Sequence, residues 1–495
     1  MKNRFLLLAL TFSFVPVLLN PAAAQTLRTL HNFTATSPTS YTNSDGARPS
    51  GGVILSGDTL YGTAQYGGVF TYGTVFSLKT DGTAFTTLHH FNFYDGCNPL
   101  GGLLLSSNIL YGTTSQGGTL ANSGQVFALS TDGTGFTNLH TFVPLAPNFP
   151  YVNSEGATPY GGLILLSNTL YGTASAGGDG AGGTVFALSR DGTTFTNLHS
   201  FTARLAPFHT NADGARPLGA LSSSGRTLYG TAFQGGGSAN GTVFRVNIDG
   251  TGFTTLHSFT DASSFSDIYI NEDGVGPAFV LASMTTLYGT AAYGGTSGNG
   301  TVFKLKNNGA AFTNLHSFSE LSDLYIGTNT DGATPFGAII LSGNTLYGTT
   351  KYGGSCGSGT VFALNTDGTG FTTLYSFTAL SAGTNFDGAN PVAGLFLSRN
   401  TLYGTTSAGG TSGNGTVFSL PFPPKLAIIP SGPYVILTWP TNYAGFSYTA
   451  YELQSATNLD SPIWTTVSPR PVTIGGQNVV VNTISDTPQF YRLIW

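Results

Sequence analysis

The sequence predicts an all-β fold: a seven-bladed β-propeller closed by its N-terminal strand and followed by a small C-terminal β-sandwich. Three observations carry this prediction. The tetrapeptide LYGT occurs seven times, it returns at intervals of 50 to 60 residues, and the segments around it keep one order in every copy. The tyrosines of the seven copies are Tyr61, Tyr111, Tyr171, Tyr229, Tyr288, Tyr347 and Tyr403.

Each repeat contains four short runs that are typical of β-strands. They read GGLIL-like, TLYGT, GTVFxL and FTTLHSF, and we name them strands A to D. The runs are rich in β-branched and aromatic residues and are bounded by glycine-rich turns. A tight Asp-Gly or Asn-Gly turn separates C from D, which predicts an antiparallel hairpin. These turn residues are Asp81, Asp132, Asp191, Asp249, Asn308 and Asp367.

The two ends of the repeat region predict ring closure. The repeats begin with an isolated D-like run, LHNF at residues 30–33, and end with a C-like run that starts at Gly415. The last unit therefore lacks its fourth strand, and the N-terminus carries a spare one. An open solenoid, the alternative, would need polar capping units, and the sequence contains none.

The domain organisation follows from shifts in composition. Residues 1–24 predict a secretory signal peptide, because Lys2 and Arg4 precede an apolar run that ends in three alanines. We expect residues 25–420 to form the propeller, 421–424 a proline-rich linker, and 425–495, which holds all three tryptophans, the sandwich. Cys97 and Cys356 fall three blades apart, too far for a disulfide, so both thiols are predicted to be free.

Composition and charge limit the partners. Only 8% of the residues are charged, the net charge is -5, and no basic stripe is present, which argues against nucleic acid. No second long apolar segment follows the signal peptide, so we expect an exported monomer without a membrane span, secreted, at the cell surface or in the periplasm.

The recurrent set TLYGT, GG, GTVF, DGT and FTTLHSF resembles the GloVer tandem repeat of bacterial choice-of-anchor exported proteins, over residues 25–420. The resemblance implies export, a repeat domain and a variable C-terminal segment that serves in anchoring; it implies no activity and no ligand. The C-terminal segment has WP after a strand and a terminal YRL, and it loosely resembles a fibronectin type III module that would either anchor or cap the protein.

The D-to-A crossings predict the binding face, because they are long and differ between copies, whereas the A-to-B and C-to-D turns are minimal. Aromatic residues among Asn, Ser and Asp in these crossings resemble those of carbohydrate- or protein-binding surfaces, although packing that holds the long loops in place is the favoured interpretation. The candidate binding residues are Tyr41, Tyr94, Tyr151, Phe208, Tyr269, Tyr325 and Phe386.

An acidic residue precedes a glycine in every crossing. These residues are Asp45, Asp95, Glu155, Asp213, Asp273, Asp331 and Asp387. We expect a structural role, in which the side chain stabilises the turn and the glycine adopts a positive φ; a ring of channel carboxylates that binds cations or a polyhydroxylated ligand is the alternative. The spacing does not match a calcium loop, so no metal site is predicted.

Histidines repeat in strand D, and Tyr375 takes the seventh position, which favours packing with one hydrogen bond over metal binding. His209 is the only candidate general base on the crossing face. The sequence thus favours an exported, non-catalytic scaffold without a cofactor whose face binds carbohydrate or protein. One alternative is a polysaccharide-active hydrolase or lyase with its site at the central channel. The other is a structural surface or matrix protein.

Overall fold

The computed structural model describes residues 26–118, 122–265, 268–322, 327–459, 462–484 and 487–494. The regular secondary structure of these described residues consists of β-strands alone, which confirms the predicted all-β class. The predicted signal peptide, residues 1–24, lies outside the described residues. Within the described ranges, no helix has the length and apolarity needed to cross a bilayer.

The repeats form successive four-stranded antiparallel sheets, each in the order A-B-C-D. The N-terminal strand is β1 (Arg28–Asn32). Sheet 1 contains β2 (Ile54–Ser56), β3 (Thr59–Ala64), β4 (Thr74–Lys79) and β5 (Thr86–His90). Sheet 2 contains β6 (Leu104–Ser106), β7 (Ile109–Thr114), β8 (Gln125–Ser130) and β9 (Thr137–Thr141). Sheet 3 contains β10 (Ile164–Leu166), β11 (Thr169–Ala174), β12 (Thr184–Ser189) and β13 (Phe195–Ser200).

The later repeats follow the same plan. Sheet 4 contains β14 (Ser222–Ser224), β15 (Thr227–Ala232), β16 (Thr242–Asn247) and β17 (Thr254–Ser258). A small hairpin in the next crossing pairs β18 (Ser263–Phe265) with β19 (Ile268–Ile270). Sheet 5 contains β20 (Val275–Ser283), β21 (Thr286–Tyr293), β22 (Thr301–Lys306) and β23 (Thr313–Ser317). Sheet 6 contains β24 (Ile340–Ser342), β25 (Thr345–Thr350), β26 (Thr360–Asn365) and β27 (Thr372–Ser376). Sheet 7 contains β28 (Phe396–Ser398), β29 (Thr401–Thr406) and β30 (Thr416–Pro421), together with β1.

The glycine of LYGT and the phenylalanine of GTVF recur together because they are paired across strands B and C. In sheet 3, Gly172 lies opposite Phe186. A Cβ at Gly172 would lie 2.6 Å from Cζ of Phe186, so the ring occupies the space above the glycine. Phe186 is fully buried as a result. The two most regular motifs of the sequence are thus one packing unit of the core.

The residue before the proline of each crossing joins its sheet to the preceding sheet. In every repeat its backbone N–H donates a hydrogen bond to a carbonyl in the B-to-C loop of the preceding sheet. The seven bonds are Arg48 to Asn414, Asn98 to Tyr72, Thr158 to Ser123, Arg216 to Gly182, Gly276 to Asn240, Thr334 to Asn299 and Asn390 to Ser358, at 2.7–3.0 Å. All seven residues have a positive φ, which is unusual for a β-branched residue such as Thr158 (φ 56°).

The N-terminal strand pairs with the last repeat. Strand β1 lies antiparallel to β30, with Arg28 opposite Ser419 and Asn32 opposite Thr416. Leu30 and Phe33 are buried in a cluster that also contains residues of sheets 1 and 7. In addition, the Thr405 hydroxyl donates a hydrogen bond of 3.1 Å to the carbonyl of Gly51 in sheet 1.

The C-terminal segment forms two further sheets and a hairpin. Its strands are β31 (Ala427–Ser431), β32 (Tyr434–Pro440), β33 (Asn442–Tyr443), β34 (Phe446–Ser447), β35 (Glu452–Ala456), β36 (Thr465–Thr466), β37 (Val472–Ile474), β38 (Gln477–Thr483) and β39 (Phe490–Ile494). One sheet has the order β31-β32-β38-β37, the other β36-β35-β39, and β33 pairs with β34.

The hairpin docks on the repeat sheets at the end that carries the A-to-B turns. Phe446 stacks on Phe422 with ring centroids 4.3 Å apart, and it lies 5.2 Å from the ring of Tyr347. The Tyr347 hydroxyl donates a hydrogen bond of 2.5 Å to the Ala444 carbonyl. This contact buries Tyr347 completely and leaves the opposite end of the sheets uncovered by the hairpin.

Both cysteines are free thiols, as the sequence predicts. Cys97 is buried and Cys356 is exposed. Burial raises the pKa of the Cys97 thiol to about 11, so this thiol stays protonated and unreactive at neutral pH. Packing and hydrogen bonds therefore stabilise the repeat region without a crosslink.

Candidate functional site

The D-to-A crossings and the B-to-C loops lie at one end of every sheet, because strands A to D are antiparallel neighbours. We call this end the crossing face. It is the end at which the sequence predicts the binding site. The A-to-B turns and the docked hairpin lie at the other end.

The candidate aromatic residues of the crossings are exposed. Phe208 is 77% exposed and Phe386 is 86% exposed, and so is a neighbour of the candidates, Phe149, at 84%. Tyr41, Tyr94, Tyr151 and Tyr269 are exposed as well. Tyr325 lies outside the described residues. Rings at this exposure do not contribute to the core of the sheets, although Tyr151 contacts Phe149 with ring centroids 6.0 Å apart.

The acidic residues of the crossings bond to strand D. In sheet 4, His257 Nε2 lies 2.9 Å from Asp273 Oδ2, and the Thr260 hydroxyl donates a hydrogen bond of 2.6 Å to Oδ1. Equivalent contacts join His31 to Asp45, His89 to Asp95, His140 to Glu155, His199 to Asp213 and His316 to Asp331. In sheet 6 the Tyr375 hydroxyl donates a hydrogen bond of 2.8 Å to Asp387.

These contacts set the charge state of the carboxyls. Burial raises the pKa of the Asp273 carboxyl, but hydrogen bonds from His257 and Thr260 outweigh burial and hold the pKa below its ordinary value. The same causes lower the pKa of Asp45, Asp213 and Asp331. The glycine after each acid has a positive φ, as in Gly46 at 104° and Gly274 at 110°.

An asparagine two residues before the acid organises the turn, and sequence reasoning missed it. The Asn43 side-chain oxygen accepts hydrogen bonds from the amides of Gly46 and Gly68, and its amide group donates to the carbonyl of Thr34. The same side-chain bonds recur at Asn153, Asn211, Asn271, Asn329 and Asn385. The pattern N-x-[DE]-G was visible in six of the seven crossings and could have revealed it.

A cavity of about 370 Å³ receives residues from all seven repeat sheets. We call it the shared cavity. One set of lining residues directly follows the crossing prolines, and Tyr160 and Phe336 belong to it. Gln65 and Lys351 belong to a second set, and each lies two residues after the threonine of its LYGT copy. None of the seven crossing acids lines the shared cavity.

The shared cavity carries cations and rings. The guanidinium of Arg48 lies 5.6 Å from the ring centre of Tyr66, and the Lys351 ammonium lies 4.8 Å from that of Tyr352. Burial, reinforced by Tyr66, raises the pKa of the Tyr160 hydroxyl, while nearby Arg216 opposes the rise. Among the described residues that line the cavity, none is an Asp or a Glu.

The remaining candidates do not form a site. His209 is exposed, and none of its hydrogen bonds or ion pairs involves a carboxylate within the described ranges. In the part of the chain that the structure describes, no three His, Cys, Asp or Glu side chains are grouped to hold a metal ion.

Comparison with known proteins identifies the repeat. The family model described as the Gloeobacter/Verrucomicrobia repeat matches residues 18–154, 145–323 and 280–428. The chain belongs to this repeat family. The tandem-repeat family that the LYGT and GTVF motifs indicated is thereby confirmed, whereas export and the fibronectin-like character of the C-terminal segment stay predictions. No curated protein sequence matches this member of the repeat family.

Several solved structures are distantly similar to this repeat protein. An oligogalacturonate lyase in complex with manganese has 10% identity and a TM-score of 0.45, over 81% of this chain and 97% of that one. A Mycobacterium tuberculosis puromycin-hydrolyzing peptidase has 12% identity and a TM-score of 0.43, over 82% and 62%. A Bacteroides fragilis protein provisionally named a 6-phosphogluconolactonase has 15% identity and a TM-score of 0.43, over 71% of this chain and 88% of that one. Similarities this distant carry no information on activity.

Proposed function

We propose that this chain is an exported, non-catalytic binding protein, built as a seven-bladed β-propeller that its N-terminal strand closes, with carbohydrate as the ligand of its crossing face. Closure is supported by the inter-sheet hydrogen bonds, which form a complete cycle because Arg48 of sheet 1 bonds to Asn414 of sheet 7. It is also supported by the pairing of β1 with β30. On this proposal, residues 25–420 are the propeller and residues 425–495 are a separate docked module.

The observation that carries the binding function is the exposure of aromatic rings on the crossing face. Leaving a ring such as Phe208 or Phe386 in water forgoes about 1.5–3 kcal/mol of burial free energy. The strand motifs and inter-sheet hydrogen bonds recur in each repeat, whereas these rings differ in type and position between crossings. Aromatic faces beside amides and hydroxyls are the surface that sugar rings and their hydroxyls require. Export, inferred from residues 1–24, gives such a surface access to polysaccharides.

The test is a glycan array and a polysaccharide hydrolysis panel with the mature chain, followed by titration of the best glycan against Phe208→Ala, Phe386→Ala and their double variant. We expect binding without turnover, and each variant should weaken it by about tenfold. Met284→Ala removes a side chain that is 88% exposed in the A-to-B turn of sheet 5, at the other end, and serves as the matched control. Turnover would replace the proposal with the enzyme alternative; no binding to any glycan would refute it in favour of a structural protein.

A further inference from the structure

The positive charges at the shared cavity have no carboxylate partners. The described residues contain six histidine–carboxylate contacts and one Lys79–Asp58 ion pair, and none of these involves the two cations that line the cavity, Arg48 and Lys351. Arg48 and Lys351 instead lie against tyrosine rings. In a chain with a net charge of -5, cations gathered at one cavity without counter-charges make a local positive potential.

The acids that could have neutralised these cations are held elsewhere. Each crossing acid is only a few residues from the cavity-lining segment, but its carboxylate bonds to the histidine or tyrosine of strand D. This bonding of the acid to strand D recurs in every repeat, and none of the described residues that line the cavity carries a carboxylate. An anionic group that enters therefore meets attraction and no repulsion.

The cavity also offers apolar faces at a size suited to a small ring. Tyr160 and Phe336 line it, and Phe233 contacts Phe336 and Tyr293 with ring centroids 6.0 and 6.4 Å apart. Its volume of about 370 Å³ lies in the range of small-ligand sites. Glycine at the cavity lining lets neighbouring backbones approach closely: a Cβ at Gly52 would lie 2.8 Å from the carbonyl oxygen of Gly394.

We propose that the shared cavity binds an acidic sugar unit of an anionic polysaccharide, with Arg48 and Lys351 attracting its charged group and the rings of Tyr160 and Phe336 packing against its pyranose face. This inference rests on the proposed carbohydrate-binding function and names the ligand class. The crossing aromatics then contact neighbouring units of the same polymer.

A matched pair of ligands tests the inference on the full mature chain. The two ligands are the β-1,4-linked mannuronate hexasaccharide, which carries carboxylates, and mannohexaose, which carries none. Titration calorimetry at two salt concentrations measures the affinity of each. We expect the mannuronate ligand to bind at least about tenfold more tightly at low salt, with a preference that shrinks as salt screens the charges. Arg48→Gln and Lys351→Gln should each weaken it by about tenfold and leave mannohexaose unchanged. Lys79→Gln, which removes an exposed cation near the A-to-B turn, is the control.

The outcomes separate this inference from the proposed function. Equal binding of both hexasaccharides, or mannuronate affinity that survives Arg48→Gln with Lys351→Gln, overturns the acidic ligand and leaves carbohydrate binding standing. Binding of neither hexasaccharide, together with a blank glycan array, overturns both. Inorganic sulfate is titrated as a third ligand: competition by sulfate at concentrations equal to the hexasaccharide would mean that the cavity is a site for free anions, which also overturns the inference.

Discussion

The contact between a strand-D histidine and a crossing carboxylate holds each crossing to its sheet. Asp273 is 5% exposed and receives hydrogen bonds from His257 and from both the amide and the hydroxyl of Thr260. The His257 ring stacks on Phe312 of the following sheet, with centroids 3.9 Å apart. One carboxylate thus fixes the loop, the edge strand and, through the histidine, the next sheet.

Asp273→Asn should destabilise the protein by about 1–3 kcal/mol, because an amide cannot accept all the hydrogen bonds that the carboxylate accepts and leaves buried donors unsatisfied. The midpoint of urea denaturation measures this. Asp261→Asn, an exposed acid of the same crossing, is the control and should change stability by less than about 0.5 kcal/mol. An unchanged midpoint for Asp273→Asn would remove the carboxylate from the forces that hold the crossing.

Acid should destabilise the fold through the same groups. Four crossing carboxyls, Asp45, Asp213, Asp273 and Asp331, have a folded-state pKa below the ordinary 3.8. A lowered folded pKa contributes stability that is complete above the unfolded value and is lost as the pH falls through the folded value. The urea midpoint should therefore stay level near pH 5 and fall below about pH 4. Asp273→Asn should show a shallower fall; identical pH profiles for the two proteins would contradict this origin.

Part of this residue-scale arrangement was predictable. Six histidines and one tyrosine at a single position indicated packing with one hydrogen bond, and the Asp-Gly pairs indicated positive φ at Gly46 and its equivalents. The bonding partner of each histidine was not predictable, because His257 and Asp273 are 16 residues apart and their approach depends on the path of the crossing. The pattern N-x-[DE]-G contains Asn43 and its equivalents, but the bond from the Gly68 amide to Asn43 depends on how the B-to-C loop meets the crossing.

At the scale of elements, β33 and β34 join the C-terminal module to the repeats. Phe446 is 2% exposed between Phe422 and Tyr347, and these rings belong to one core cluster that spans sheets 6 and 7 and the module. The module is therefore held at the end of the molecule away from the crossing face. The hairpin contacts shown by Phe446 and Tyr347 therefore leave the crossing face uncovered.

Phe446→Ala should release the module. Removing a buried phenylalanine costs about 3–5 kcal/mol, and the loss falls on one interface, so residues 421–424 should become sensitive to protease while the repeat sheets stay folded. Limited proteolysis with mass spectrometry, alongside thermal unfolding, measures both effects. Phe490→Ala truncates a ring that is 36% exposed in the module and is the control. Protease resistance equal to that of the wild type would show that the hairpin does not hold the module.

The strands were predictable at this scale and the cavity was not. Short apolar runs with glycine turns specify strands A to D of the repeat sheets from local sequence alone. The hairpin of β18 and β19 was not predicted, because it lies in a crossing that was expected to be a loop. Side chains at the shared cavity include Tyr160, which directly follows the crossing signature, and Lys351, which lies two residues after LYGT; the copies also disagree at these positions. Which variable positions face a common axis depends on how the sheets are arranged around it, and this is information that the repeat period does not contain.

At the scale of the whole molecule, the proposed ring makes stability depend on its two ends. Strand β1 supplies the edge partner of β30, and Leu30 and Phe33 fill the core between sheets 7 and 1. Deleting residues 25–33 should therefore abolish the single cooperative unfolding transition, because it exposes the edge of β30 and empties a core that no other segment can fill. Differential scanning calorimetry and hydrogen exchange of sheets 1 and 7 measure this.

A deletion of similar length in the first crossing, residues 35–42, is the control, since Asn43 and Thr34 at its two ends already share a hydrogen bond of 3.0 Å. A shortened protein that lacks residues 25–33 and melts as the wild type does would be evidence for an open array of sheets in place of a ring.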